Sequence, residues 1–270
     1  MSAVRRWGFR YRAHNGVPRW AVLVAPAEFG PDAPSPPLPL VVSPHGRGVK
    51  ARTNAQMWAE LPGRGTFAVV CPGGMGRRLP LHSWGFRGQI DDLVRMPQLV
   101  RAARPWLNVD EDRIYAVGGS MGGHETLLML SRRPRILAGA VAFDSVTDFL
   151  RRYHDFAQLG NKGKVLQGLA RLEVGGAPAT HEAEYRERSP ASFLDEIASS
   201  GVPLQMWWSN ADEIVTGQQF QSGKLFADLN AHGTTARLER IRGSWSHTAE
   251  SYRDLQLPGA VRWLGLVPDV

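Results

Sequence analysis

Ser120 is the side chain in this sequence best placed for nucleophilic chemistry. It lies in Gly118-Gly119-Ser120-Met121-Gly122, a G-x-S-x-G pattern, between the apolar run 114–117 and a helix-like segment at 125–131. A strand, a sharp turn and a helix in that order expose the serine hydroxyl, and only glycine-sized neighbours fit around such a turn. Because a serine hydroxyl is a weak nucleophile, the same chemistry also needs a base, an acid that orients the base, and an oxyanion pocket.

His247 is the candidate base. It follows the last predicted strand by a few residues and precedes the predicted closing helix. His232 is the alternative, but it ends an amphipathic helix, where the helix dipole is enough to explain a histidine.

Asp212 is the candidate acid, because it follows the buried stretch 204–208, where a loop carboxylate can point across the end of a sheet. Its neighbour Glu213 and Asp144, at the end of the preceding strand, are the alternatives. The chain order serine, aspartate, histidine is that of one known arrangement of the Ser-His-Asp triad.

The oxyanion pocket requires two backbone N–H groups. Met121, directly after the serine, predicts one of them, and the glycine-rich loop at Gly46 and Arg47 predicts the other. Such donors each contribute about 3 to 4 kcal/mol to transition-state stabilisation.

Three further residues are candidates to line a substrate pocket. Trp84 lies in a segment that has the composition of a loop, Trp245 lies close to the candidate base, and His45 precedes the oxyanion loop, which it is also expected to organise through hydrogen bonds.

Strands that alternate with helices must position these groups. A hairpin at 7–25 around Asn15-Gly16 begins the chain, and a long helix is predicted at 88–107. The alternation predicts an α/β fold with a mostly parallel sheet covered by helices on both faces. Residues 1–270 form one predicted domain, in which 145–201 is a small cap over the carboxyl ends of the strands.

Composition excludes several classes of function. The chain has 270 residues, 43% of them hydrophobic, and a net charge of +7 carried by dispersed arginines without a nucleic-acid-binding motif. No cluster has the spacing of metal ligands, and no apolar run approaches the roughly 18 residues of a membrane span. The single cysteine fits a reducing compartment. The sequence therefore predicts a cytoplasmic protein with no metal, no cofactor, no nucleic acid and no membrane partner.

Several stretches together resemble the α/β-hydrolases of the prolyl-oligopeptidase and dienelactone-hydrolase-like branch, over about residues 38 to 264. The matching positions are Pro44-His45-Gly46, Asp91-Asp92-Leu93, Val109 to Ile114, Gly118 to Gly123, Tyr185 to Pro190, Val202-Pro203, Asp212, Val215 and Gln219. The resemblance implies an eight-stranded sheet, with the cap between the sixth and seventh strands, and a serine hydrolase. It places the triad at Ser120, Asp212 and His247, and the oxyanion donors at Met121 and the Gly46-Arg47 loop.

The resemblance also implies a substrate class. Oligopeptidases of this branch carry a long N-terminal propeller, and nothing before Leu38 could form one, which favours an esterase. The expected activity is cleavage of carboxylic esters through an acyl-enzyme. The alternatives are a small peptidase or amidase with the same triad, a cutinase-like polyester hydrolase, which shares the Ser-Met-Gly-Gly elbow, and a non-catalytic binding protein. The expected partner is a small-molecule ester or a short peptide.

Overall fold

An eight-stranded sheet runs through the computed structural model, which describes residues 3–234 and 236–268. The strands are β1 (Val4–Arg12), β2 (Pro18–Pro26), β3 (Leu38–Val42), β4 (Ala68–Pro72), β5 (Val109–Gly119), β6 (Gly139–Phe143), β7 (Leu204–Ser209) and β8 (Leu238–Gly243). Their order across the sheet is β1-β2-β4-β3-β5-β6-β7-β8. Only β2 pairs antiparallel, with β1 and β4, so the predicted mostly parallel sheet of eight strands is confirmed.

The hairpin forms where Asn15 and Gly16 predict it. Gly16 has a φ of +77°, which a residue without a Cβ adopts at little cost. The side-chain oxygen of Asn15 accepts the N–H of Val17 at 3.2 Å and so closes the turn.

Helices cover both faces of the sheet. They are α1 (Ala51–Met57), α2 (Leu61–Gly65), α3 (Arg87–Val94), α4 (Met96–Ala103), α5 (Met121–Arg132), α6 (Phe149–Asp155), α7 (Gly160–Val174), α8 (Pro178–Glu187), α9 (Leu194–Ala198), α10 (Ser222–His232), α11 (Thr248–Ser251) and α12 (Leu257–Trp263). Because successive side chains of a strand point to opposite faces, Leu40 and Val42 of β3 enter one core and Val41 enters the other. The first core contains residues of α3, α4, α5, α9 and α10, and the second contains residues of α1, α2 and α12.

Two predicted helices differ from the structure. The prediction of a single helix at 88–107 is wrong, since α3 ends at Val94 and α4 begins at Met96. The break precedes Pro97, which has no N–H to continue the hydrogen bonds of the preceding turn. In the closing helix, residues 252–256 form a π-helical turn just before Pro258, another residue that cannot donate to the preceding turn.

Helices α6 to α9 lie between β6 and β7, and α6, α7 and α8 form a small apolar core of their own. Phe149 is fully buried in this core, stacked on Tyr185 with ring centroids 5.0 Å apart. On its other side Phe149 stacks on Trp84, so this segment is attached to the loop that follows β4. Within the described ranges, no helix is long and apolar enough to cross a membrane.

Candidate active site

Ser120 stands at a sharp turn between β5 and α5. Its φ of 57° and ψ of −121° are a strained conformation for a residue with a side chain, and its N–H donates to the carbonyl of Phe143 at 2.8 Å. A methyl group at Gly118 would collide with the carbonyl of Gly122, and one at Gly122 would collide with the carbonyl of Pro44. The two outer glycines of the pattern are therefore required by backbone that approaches too closely for a Cβ.

The structure brings His247 and Asp212 together from the loops that follow β8 and β7. The Nδ1 atom of His247 lies 2.9 Å from Oδ2 and 3.0 Å from Oδ1 of Asp212. The aspartate side chain is 1% exposed and the histidine side chain 13% exposed. A carboxylate at this distance holds the proton on Nδ1 and leaves Nε2 unprotonated, which is the form that a general base requires.

Ser120 and His247 line one cavity of about 150 Å³, bounded also by Gly46 and Tyr252. We call it the His247 cavity. In the described part of the chain no hydrogen bond joins Ser120 to His247. Catalytic hydrogen bonds are often long or poorly aligned until substrate binds.

Asp144, one of the alternative acids, is buried behind this pair without bonding to His247. Its Oδ2 accepts hydrogen bonds from Trp245 Nε1 at 2.7 Å, Thr248 Oγ1 at 2.8 Å and Gln256 Nε2 at 3.2 Å. Burial raises the pKa of this carboxyl, and the negative charge of Asp212 raises it further. Asp144 thus anchors the residues on both sides of His247, whereas Glu213, the other alternative, is exposed.

Asp144, Asp212 and His247 are also the one group among residues 3–234 and 236–268 whose side chains lie close enough together to hold a metal ion, within 4.8 Å. Each carboxylate oxygen of the two aspartates already accepts at least one hydrogen bond from the protein. These contacts form a hydrogen-bonded network around His247.

Met121 and the loop of Gly46 and Arg47 both lie next to Ser120. Met121 is the first residue of α5, so its N–H has no acceptor within the helix. Gly46 lies against Ser120, with an ideal Cβ at Gly46 only 3.9 Å from the Cβ of the serine. The N–H of the adjacent Arg47 makes no hydrogen bond within the described ranges. Met121 and the loop of Gly46 and Arg47 thus have the free donors that an oxyanion hole needs.

A second cavity, of about 80 Å³, also reaches Ser120, and we call it the Trp84 cavity. Trp84 and Met121 form part of its wall, as the sequence predicts for Trp84. Further wall residues come from the segment between β6 and β7: Val146, Arg152, Phe156, Leu159, Lys162 and Leu166.

The structure places His45 and Trp245, two of the predicted pocket residues, outside both cavities at Ser120. His45 is 1% exposed; its Nδ1 donates to the carbonyl of Gly46 and its Nε2 accepts the N–H of Gly74, each at 2.7 Å. Trp245 is 9% exposed and turns its N–H to Asp144. Sequence position alone could not show that each side chain turns inward to satisfy a buried partner.

Sequence reasoning missed Arg152, which lies in the wall of the Trp84 cavity. A signal for it exists, because Phe149, Arg152 and Phe156 follow a spacing of three and four residues and so share one face of a helical segment. An arginine on an otherwise aromatic face indicates a cation that is directed into an apolar site.

Two titratable side chains of α5 have strongly shifted pKa values. Burial lowers the pKa of His124 to about 4, and this neutral ring contacts the carbonyl of Arg188 through Nε2 at 2.6 Å. Burial raises the pKa of Glu125 to about 7, although a hydrogen bond from the hydroxyl of Ser83 lowers it. Both residues tie the helix that follows the nucleophile to the loops around it.

Glu173 of α7 fixes the loop that follows β4. Its fully buried carboxylate accepts three loop N–H groups, those of Arg77, Arg78 and Leu79, and lies 3.9 Å from the guanidinium of Arg188. This loop carries His82 and Trp84 into the cavity wall, so Glu173 fixes the position of that wall.

The chain is similar to known proteins in sequence and in fold. The sequence model of the prolyl oligopeptidase family matches residues 84–254, well over half of the chain and including Ser120, Asp212 and His247. No curated protein sequence matches the chain.

Several solved structures share the fold at low sequence identity. S-formylglutathione hydrolase FrmB from Staphylococcus aureus has a TM-score of 0.69 and 18% identity, over 97% of this chain and 99% of that one. An esterase from Rhizomucor miehei has a TM-score of 0.71 and 13% identity, over 98% and 84%. Prolyl oligopeptidase B from Galerina marginata has a TM-score of 0.67 and 16% identity, over 97% of this chain but only 36% of the oligopeptidase. These likenesses confirm the predicted α/β-hydrolase fold.

Proposed function

Because the chain belongs to the prolyl oligopeptidase family of serine hydrolases, we propose that it cleaves carboxylic esters through an acyl-enzyme on Ser120. The observation that carries this proposal is the contact of His247 Nδ1 with Asp212 beside a cavity that both His247 and Ser120 line. Nucleophile, base and orienting acid are then in their required chain order, and each comes from a loop at the carboxyl end of its strand.

The reaction follows from the positions of these groups. His247 Nε2 removes the proton of Ser120 as Oγ attacks the ester carbonyl, and Asp212 stabilises the imidazolium that forms. The N–H groups of Met121 and Arg47 stabilise the negative oxygen of the tetrahedral intermediate. His247 then gives its proton to the leaving alcohol, and a water activated by the same imidazole releases the acid and restores Ser120.

The two cavities suggest which part of the ester binds where. The leaving alcohol must lie next to the imidazole that protonates it, so we assign it to the His247 cavity. The acyl group then occupies the Trp84 cavity, whose wall combines aromatic and aliphatic side chains with charged ones such as Arg152 and Lys162. We infer that 145–201 acts as a cap on this cavity and forms a single domain with the rest of the chain.

Two observations support an ester rather than a peptide as substrate. The Trp84 cavity has a volume of only about 80 Å³, which suits a small acyl group rather than a peptide chain. In addition, the structures matched along most of their own length are named an S-formylglutathione hydrolase and an esterase, whereas the oligopeptidase is matched over only 36% of its length.

Labelling with a fluorophosphonate, followed by paired assays of p-nitrophenyl esters and aminoacyl anilides, tests the proposal. We expect one adduct on the wild type, none on Ser120→Ala, and a loss of about 10⁴- to 10⁶-fold in kcat for that variant. Ser199→Ala, at an exposed serine at the end of α9, is the matched control and should react like the wild type. Cleavage of anilides at rates similar to esters would favour the peptidase, and no adduct on folded protein would favour a binding protein.

A further inference from the structure

Arg152 is a buried cation without a carboxylate partner. Only 4% of the residue is exposed, yet no acidic oxygen lies within ion-pair distance of its guanidinium in the described ranges. Asp155, the nearest acid on the same helix, pairs instead with Arg151, at 3.8 Å between Nε and Oδ2. Lysine and arginine are almost never this deeply buried unless they are paired.

The guanidinium of Arg152 is only partly used by the protein. One nitrogen donates to the carbonyl of Ile214 and another to the hydroxyl of Thr216 at 3.3 Å. A guanidinium carries five N–H donors, so three of them remain for a ligand. Its carbon lies 4.8 Å from the ring centre of Phe156, a cation–π contact with another residue of the cavity wall.

The other charged side chains of the Trp84 cavity give it an excess of positive charge. Arg47 and Lys162 line the same cavity as Arg152, and neither forms an ion pair within residues 3–234 and 236–268. Glu213 is the one carboxylate in its wall, and it is exposed. Burial lowers the pKa of the Arg152 guanidinium, whereas the negative charges of Asp155 and Asp212 raise it. Asp212 is thus near enough to act on Arg152, so this cavity adjoins the catalytic groups.

An unpaired cation in an apolar cavity is stabilised most by a ligand of opposite charge. We propose that the acyl group of the substrate carries a carboxylate at its far end, which Arg152 binds inside the Trp84 cavity, so that the preferred substrates are monoesters of dicarboxylic acids. This inference rests on the proposed function. It assigns Arg152 the recognition of the acyl group and assigns Lys162 and Arg47 the attraction of the anion toward the cavity.

A purely structural role for Arg152 predicts a different outcome. Its hydrogen bonds to Ile214 and Thr216 connect α6 to the loop of Asp212, and loss of these bonds would disturb the triad for every substrate alike. Recognition of a carboxylate predicts a loss for the anionic substrate alone. The ratio of kcat/KM for two matched substrates therefore separates the two roles.

The test compares p-nitrophenyl hydrogen adipate with p-nitrophenyl hexanoate, whose acyl chains have the same number of carbons and differ in the terminal carboxylate. We expect the wild type to prefer the adipate ester by more than about tenfold. Arg152→Gln should lower that ratio roughly 10- to 100-fold, as expected when one partner of a desolvated ion pair is removed. Lys162→Gln, at an exposed position, should lower it by a smaller factor, and added salt should do the same.

Arg151→Gln is the matched control, because it removes the same charge one residue away, from a side chain that packs over Phe220 outside the cavity. It should leave the ratio unchanged. If Arg152→Gln fails to fold, the wild-type ratio and Lys162→Gln still decide the matter. A wild type that hydrolyses the hexanoate at least as fast as the adipate would overturn this inference alone, as would an equal loss for both esters in Arg152→Gln. Hydrolysis of neither ester, with no fluorophosphonate adduct, would overturn the proposed function as well.

Discussion

Replacement of Asp212 by asparagine should nearly abolish activity, whereas the same replacement at Asp144 should not. Both aspartates are buried close to His247, and both substitutions remove one negative charge while they preserve size. The hydrogen bonds of each carboxylate determine which way the new amide must point, and that orientation determines how much activity and stability are lost.

At Asp212 the two oxygens have different partners. Oδ1 accepts the backbone N–H groups of Ile214 and Val215, each at 2.8 Å, while Oδ2 accepts from Gln218 Nε2 at 3.2 Å. His247 Nδ1 lies 2.9 Å from Oδ2 and 3.0 Å from Oδ1, so it is shared between the two oxygens. The two backbone donors will retain the carbonyl oxygen of an asparagine at the Oδ1 position, so its NH₂ group takes the Oδ2 position, the nearer of the two to His247 Nδ1. A donor at that point forces the proton from Nδ1 to Nε2, and the imidazole can no longer accept the serine proton. A wrong tautomer of this kind lowers kcat about 10⁴-fold in a serine-protease triad, or by about 5 kcal/mol of activation free energy.

At Asp144 three side chains donate to Oδ2, and only the N–H of Ser209 donates to Oδ1, at 3.1 Å. An asparagine there will keep its oxygen at Oδ2 and leave the Ser209 N–H without an acceptor. One unsatisfied buried N–H costs about 1 to 3 kcal/mol of stability. Because burial already disfavours the charged form of Asp144, the neutral amide recovers part of that loss. We expect kcat to fall less than about tenfold, since His247 retains Asp212.

The assay measures kcat on a p-nitrophenyl ester together with the free energy of unfolding in urea for both variants. The expected pattern is an inactive, stable Asp212→Asn and an active, less stable Asp144→Asn. A larger loss of kcat in Asp144→Asn than in Asp212→Asn would refute the assignment and make Asp144 the catalytic acid.

Three further predictions concern the surroundings of the site. Burial raises the pKa of Glu125 from 4.5 to about 7, so the folded state binds this proton more tightly than the unfolded state does. Stability should therefore fall by about 3 kcal/mol between about pH 4.5 and pH 7, and urea unfolding of Glu125→Gln should lack that decrease; parallel pH profiles would contradict it. The free energy of unfolding in urea should fall by about 2 to 3 kcal/mol in Glu173→Gln, because three loop N–H groups lose a charged acceptor. In Glu182→Gln, at an exposed ion pair, it should change by less than about 0.5 kcal/mol. Equal effects of the two would argue against the role of Glu173. Gly122→Ala should destabilise the enzyme by about 1 to 3 kcal/mol and lower kcat, since its methyl group would push the Pro44 carbonyl and the oxyanion loop away from the nucleophile; unchanged kinetics would contradict this.

The order of the elements and the candidate nucleophile could be predicted from local pattern. Apolar strands that alternate with helices determine a parallel sheet, and Gly118-Gly119-Ser120-Met121-Gly122 determines a turn that only glycines permit. These features depend on residues close together in the sequence, where side-chain size and backbone freedom already decide the conformation. The prediction of one long helix at 88–107 was wrong because it was based on the spacing of apolar residues alone. That spacing does not show that Pro97 lacks the N–H needed to continue the helical hydrogen bonds.

The partners of each side chain were decided by tertiary structure alone. Asp144 and Asp212 both follow parallel strands and both approach His247, and only the folded loops turn one of them toward Nδ1. From the sequence, His45 could either line a pocket or organise a loop. In the structure its Nε2 accepts the N–H of Gly74, 29 positions later, so the side chain organises the loop. The sequence by itself thus determined the chemistry available at Ser120, whereas the contacts between distant loops decided which groups act on it, because hydrogen bonding and burial depend on neighbours that the fold brings together.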